Sequence, residues 1–155
     1  MCPKDLANVQ WDLTVKENLE FVAGIKGLSD DERTANLDLI IDTFGLDQFS
    51  QVYARNLSGG NKRKLGCATS LLVCPTIEFM DDPTIGMDPI AQQRLIKTLD
   101  RLHGSAVLIA TEQMDIAENL CDYVAIMGSD YNCRFIAYGT PQQIKQVRRR
   151  VRAQD

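Results

Sequence analysis

The stretch Leu57-Ser58-Gly59-Gly60-Asn61-Lys62-Arg63-Lys64 constrains the fold of this chain more than any other. A serine directly ahead of a helix can accept a hydrogen bond from a backbone N–H of the first turn. Glycines carry no side chain, so Gly59 and Gly60 leave the backbone open to close approach. The helix that follows presents unpaired N–H groups and about half a positive charge at its start. Together these parts make an anion site of phosphate size. The stretch therefore reads as a loop-to-helix junction.

The flanking sequence alternates helix and strand signals. The helix opened at Ser58 runs to about Val73, where Pro75 ends it. Thr76 to Asp81 reads as a short strand, with a turn at Asp82-Pro83. Asp88-Pro89 supplies a cap and a first-turn proline for a further helix, with Ile90, Leu95, Ile96, Leu99 and Leu102 on its apolar side. Ala106 to Ala110 is an apolar run of the kind buried on both faces of a sheet. A short helix near Asp115 to Leu120 precedes two strands, Tyr123 to Met127 and Cys133 to Tyr138, joined across Gly128-Ser129-Asp130-Tyr131-Asn132 as a hairpin. Thr140-Pro141-Gln142-Gln143 caps a last helix that ends in a basic tail. Ahead of Ser58 the signals are helical. Thr14 with Glu17 and Ser29 with Glu32 are two capping boxes. Leu19, Val22 and Ala23 follow the first, and Leu37, Ile40, Ile41 and Phe44 the second, with a glycine stop at Gly45. The fold class is α/β, with a partial parallel sheet, in three segments: 1–75, 76–140 and 141–155.

Composition narrows the function classes. A hydrophobic share of 45% and a charged share of 25% suit a globular domain. The net charge of −4 argues against a general nucleic-acid binder. No apolar run approaches the ~20 residues of a membrane helix, and Lys4, Asp5 and Asn8 break any signal-peptide pattern. The five cysteines form no Cys-x-x-Cys pair, which points to reduced, mostly buried thiols rather than a zinc site. His103 is assigned no role.

Downstream of Ser58, the blocks Asp81-Asp82-Pro83-Thr84 and Gly86-Met87-Asp88-Pro89 follow at close range. In this order the three blocks resemble the ATP-binding cassette of an ABC transporter, and the Asn-Lys-Arg-Lys ending of the first resembles the A subfamily, whose members mostly move lipids. The resemblance implies the C-terminal two thirds of an ABC-type P-loop NTPase domain. Met1-Cys2-Pro3-Lys4 resembles the Q-loop, and residues 14 to 57 the helical subdomain that contacts membrane-spanning domains. Ser58-Gly59-Gly60 with Asn61 resembles the signature, Ile77 to Asp82 the Walker B strand, Gly86-Met87-Asp88 the D-loop, and Leu108 to Glu112 the switch loop. It further implies ATP and magnesium as ligands, with Ser58, Gly59, Gly60, Asn61, Asp88 and Lys4 at the nucleotide. Asp81 would hold the metal through water, and Asp82 and Glu112 stand at the catalytic positions. The implied partners are a second nucleotide-binding domain and transmembrane domains, at the cytoplasmic face of a membrane.

The departures from the family pattern fall on chemistry. The segment carries no Gly-x-x-x-x-Gly-Lys-Ser/Thr loop, so the resemblance implies a cassette truncated at its N-terminus. Lys4 stands in place of the Q-loop glutamine. Asp82 replaces the general-base glutamate and is one methylene shorter; a displacement of about 1 Å can cost on the order of a hundredfold in rate. Glu112 replaces the switch histidine, and a carboxylate ~4 Å from a phosphate oxygen is repelled by about 4 kcal/mol at an effective dielectric near 20. Glu78 puts a charge, costly unless paired, into an apolar strand and suggests that the strand lies near an edge. The signature is intact, and in the family it closes over ATP held by the opposite cassette. The expectation is a chain inactive as an ATPase on its own that completes a partner's site. The alternatives are a catalytically degenerate interaction module and a non-functional fragment. Lys62-Arg63-Lys64 reads as a solvated helix face, Trp11 as packed under the Q-loop, and Arg148 to Arg152 as a solvated helix end.

Overall fold

The computed structural model describes residues 1–101, 104–128 and 134–152, with only the backbone described for 147–152. Leu102, His103, the hairpin turn with Cys133, and the side chains of the basic tail lie outside the described residues. The chain forms two compact units, Met1–Ala110 and Thr111–Asp155.

The first unit is built on local capping. Helix α1 (Val15–Ile25) starts at Thr14, whose hydroxyl accepts from the Glu17 N–H at 3.2 Å while Glu17 accepts from the Thr14 N–H at 2.8 Å. The same reciprocal box, Ser29 with Glu32, opens α2 (Asp30–Phe44), and Gly45 ends it in the left-handed region at φ +60°. Helix α3 (Gly59–Leu71) follows two short 3-10 turns, with Ser58 as its cap. The three helices pack on one another around Leu19, Phe44, Leu46 and Leu65, all buried. Asn18 is buried among them. Its amide donates to the carbonyls of Gln10, Leu13 and Thr14 and accepts from the Gln10 N–H at 2.7 Å, pinning the preceding loop to α1.

Strand β1 (Ile77–Asp81), helix α4 (Pro89–Asp100) and strand β2 (Ala106–Ala110) complete this unit. The strands pair in parallel, Ile77 opposite Ala106 through Asp81 opposite Ala110. Cys2 bridges Met80 on the other side of β1: its N–H donates to the Phe79 carbonyl and its carbonyl accepts from the Asp81 N–H. Glu78 is therefore not on a free edge. It is buried, with Oε2 3.1 Å from the Met1 amino group and Oε1 without a partner. The expectation that Ala106–Ala110 is buried on both faces fails. Leu108 is 58% exposed and Phe79 beside it 50%. With two strands in this sheet, the face that Phe79 and Leu108 share with Ile77 stays largely uncovered among the described residues.

The second unit holds α5 (Met114–Leu120), β3 (Val124–Met127), β4 (Phe135–Gly139) and α6 (Pro141–Arg152). β3 and β4 pair antiparallel, the expected hairpin, with an irregularity between Ile126 and Met127.

Candidate functional site

Helix α3 carries the central element. Ser58 Oγ accepts from the Asn61 N–H at 3.3 Å, which holds the exposed cap in extended geometry at φ −64° and ψ 159°. The two glycines that follow are not equivalent. A Cβ added to Gly59 would meet no atom within 4 Å, so the backbone there is open to a ligand. A Cβ added to Gly60 would lie 2.7 Å from the Gly86 carbonyl oxygen. Gly60 is small because the first turn of α3 packs against the Gly86-Met87 backbone, a reason that differs from the ligand approach expected for both.

The strand end lies in the same unit. β1 finishes at Asp81, whose side chain is exposed. Asp82 follows in the left-handed region at φ +44°, uncommon for a residue with a Cβ, and its N–H donates to the Ala110 carbonyl at the end of β2. Its carboxylate is nearly buried and accepts from Lys4 Nζ at 2.6 Å. Lys4 and Asp82, 78 positions apart in sequence, are thus brought together. Asp88 caps α4 by accepting from the Ala91 N–H at 2.9 Å and lies 3.6 Å from Lys64. The Ala91 N–H, with Lys64 adding its charge, holds the Asp88 carboxyl below the usual carboxylate range. Glu112 is exposed and belongs to the second unit.

Arg63 was expected on a solvated face and is buried instead. Its guanidinium donates to the carbonyls of Pro3 at 2.9 Å and Lys4 at 2.7 Å, so it holds the segment that presents Lys4. Asn8 adds to this by donating to the Gly66 carbonyl and Thr69 Oγ1. The sequence signal was available: Arg63 shares a helix face with Gly66 and Cys67, a row too small to be a solvated surface. Lys62 lies over the Trp11 ring at 5.6 Å, with Trp11 39% exposed rather than packed away. Beneath the segment, the thiols of Cys2 and Cys67 lie 3.6 Å apart. Their hydrogen bond holds Cys2 below the ordinary thiol range, aided by Arg63 and opposed by burial; the same bond and burial push Cys67 well above it.

The residues fit the expected ligands to different degrees. A phosphate fits the capped, open start of α3. For magnesium, Asp81 is the available carboxylate, since the Asp82 carboxylate carries the Lys4 ammonium. Among the described residues no three acidic, histidine or cysteine side chains converge. Magnesium usually takes one or two carboxylates and completes its shell with phosphates and water, so Asp81 fits as a single protein ligand.

A parallel strand end, a capped glycine helix start and an acidic turn lie in one unit, the arrangement expected of a partial nucleotide-binding domain. The family model described as ABC transporter matches residues 1–85. The Caenorhabditis elegans protein "ABC transporter ced-7" is 37% identical over 148 residues, covering 94% of this chain and 8% of that protein. Human "Phospholipid-transporting ATPase ABCA7" is 35% identical over 146 residues, covering 93% of this chain and 7% of that protein. Among solved structures, "Structure of ATP binding subunit of ABC transporter" superposes with a TM-score of 0.80 at 28% identity, covering 89% of this chain and 57% of that one. The chain belongs to the ABC transporter family, as an A-subfamily-like nucleotide-binding domain. It spans less than a tenth of the length of these curated relatives.

Proposed function

We propose that this chain serves as part of the ATP-binding domain of an ABC transporter and offers its signature edge to ATP held by a second such domain. The observation that carries the reading is the asymmetry of the two edges. The start of α3 is capped, with Gly59 open to a phosphate. The strand end has its Asp82 carboxylate engaged by Lys4. In this reading Ser58, Gly59 and Asn61 meet the partner's nucleotide, and Gly60 sets their position against the D-loop backbone. Asp81 would hold magnesium through water, where the ion neutralises phosphate charge. Asp88 acts from the D-loop, and Lys4, Asp82 and Glu112 stand at the chain's own hydrolytic positions. Residues 1–75 supply the Q-loop, helical subdomain and signature helix, 76–140 the core and switch loop, and 141–155 a C-terminal helix.

Coupling of ATP hydrolysis to lipid movement, with transmembrane domains as partners at the cytoplasmic face of a membrane, extends the reading. It draws support from relatives named as phospholipid-transporting and cholesterol transporters. Among the described residues no helix is long and apolar enough to cross a membrane.

The test is equilibrium binding of labelled ATP, with magnesium, to this chain alone and to its mixture with a complete cassette that carries a phosphate loop. Weak binding alone and tighter binding in the mixture, lost again in Ser58→Arg, is the expected result. Tight binding with steady phosphate release by the chain alone would sink the proposal.

The Lys4–Asp82 pair also favours a second reading, in which the chain's own hydrolytic position is degenerate and the domain acts by docking. Lys4→Gln with Asp82→Glu and Glu112→His, placed in the full-length protein, separates the two. Phosphate release that appears in the triple variant shows a repairable site; continued absence supports docking.

A further inference from the structure

We propose that Cys2 and Cys67 form a redox-convertible pair that closes to an intramolecular disulfide when hydrogen peroxide reaches it. The Sγ atoms lie 3.6 Å apart and both residues are fully buried. A disulfide needs about 2.05 Å between sulfurs, so closure requires an approach of roughly 1.5 Å. The supports on each side come from different elements. Cys2 is bound through its backbone to Phe79 and Asp81 of β1. Cys67 lies in the middle of α3, and its thiol reaches the Pro83 carbonyl at 3.7 Å. Among the described residues of the first unit the one other cysteine, Cys74, is exposed rather than buried with the pair.

The segment that covers the pair includes Leu6. Leu6 lies against α3, where a Cβ on Gly66 would meet its Cδ2 at 2.5 Å and Cys2 Sγ at 3.9 Å. Leu6 itself sits in the left-handed region at φ +59°, in a segment with Lys4, Asp5 and Ala7 exposed. A leucine held there is a strained residue, and in this proposal its displacement is the step that admits a water-sized oxidant.

The chemistry balances with peroxide alone. One thiol attacks a peroxide oxygen, the O–O bond breaks, and a sulfenic acid and one water result. The second thiol then displaces the hydroxyl as water and the sulfur–sulfur bond forms. Two thiols lose two electrons and two protons, and peroxide becomes two waters. The bond would tie the segment that carries Lys4 to the helix that begins at Ser58, whether or not a nucleotide is bound.

The test treats the folded full chain with hydrogen peroxide in steps, quenches in denaturant with N-ethylmaleimide, and maps non-reduced peptides by mass spectrometry. The expected product is a Cys2–Cys67 linked peptide pair, lighter by two hydrogens, dominant over every other pairing and reversed by dithiothreitol. A Cys74→Ser, Cys121→Ser double variant should give the same product, and chain oxidised in denaturant should spread its pairing over all five cysteines. Oxidation of Cys74 or Cys121 first, with Cys2 and Cys67 recovered as maleimide adducts, overturns the proposal. So does sulfinic acid at Cys2 without a cross-link, or the same scrambled pattern in folded and denatured chain.

Discussion

The first turn of α3 and its middle differ in what surrounds them. Ser58 and Gly59 are exposed, and Gly59 has open space where a side chain would be. One turn further on, Arg63 is buried and bound to two carbonyls, and Gly66 and Cys67 are sealed against residues 2 to 8. One helix therefore has an end that is free to meet a ligand and a flank committed to packing. The flank holds the segment bearing Lys4, so one helix joins the open first turn to the engaged Asp82 carboxylate.

Removing Arg63 is the strongest way to break this contrast. Hydrogen bonds to a charged group contribute roughly 1.5–3 kcal/mol each, and Arg63 makes two to backbone carbonyls. Arg63→Ala should cost about 3–6 kcal/mol in chemical denaturation, whereas Lys62→Ala, on a half-exposed side chain, should cost under about 1 kcal/mol. Equal losses would mean that the flank is not held as described.

The two glycines sharpen the boundary between the regions. Gly60→Ala forces a Cβ onto the Gly86 carbonyl, and overpacking of this kind costs about 1–3 kcal/mol. Gly59→Ala meets open space and should be neutral or stabilising by up to about 1 kcal/mol. Thermal melts of the two variants side by side read the difference directly. A Gly59→Ala that destabilises as much as Gly60→Ala would contradict the open first turn.

Ser58→Ala removes the cap bond to Asn61 and should cost about 1 kcal/mol, read as a lower urea midpoint. The smallest effect concerns caps away from α3. The Thr14 N–H and hydroxyl hold Glu17, and the Ser29 hydroxyl and N–H hold Glu32, below the ordinary glutamate value. Carboxyls depressed in the folded state stabilise it above their unfolded values and lose that contribution as pH falls through the folded ones. Lowering pH below the ordinary glutamate range should reduce stability slightly, and Glu17→Gln with Glu32→Gln should flatten that slope. An unchanged slope would place the acid sensitivity elsewhere, with Asp88, also depressed by its cap, as the next carboxyl to replace.

Much of the local structure was legible because its interactions span three or four residues. Thr14 finds Glu17, Ser29 finds Glu32, Asp88 finds the Ala91 N–H, and each is visible as a pattern in the chain. The strand Ile77–Asp81 and the hairpin strands follow from short apolar runs bounded by turn residues. The order of the three motif blocks was enough to place the chain in its family. Arg63 was misread because a run of three basic residues looks solvated until the small residues on its face are considered. β2 was misread because an apolar run states what a strand can bury, not what neighbours are there to bury it; Leu108 stays exposed in a sheet of two strands.

The sequence alone settled the helices, their caps, the strand order along the chain and the family, since all rest on short-range chemistry or on motif order. Tertiary structure decided which side chains meet across the chain. Lys4 reaches Asp82 and Cys2 reaches Cys67 because residues 1 to 8 contact both β1 and α3, and Gly60 yields to the Gly86 carbonyl because the first turn of α3 packs on the turn after β1. Such contacts depend on how elements far apart in sequence are registered against one another. Close packing and the need to pair buried polar groups decide that register, and neither is written in the spacing of the chain.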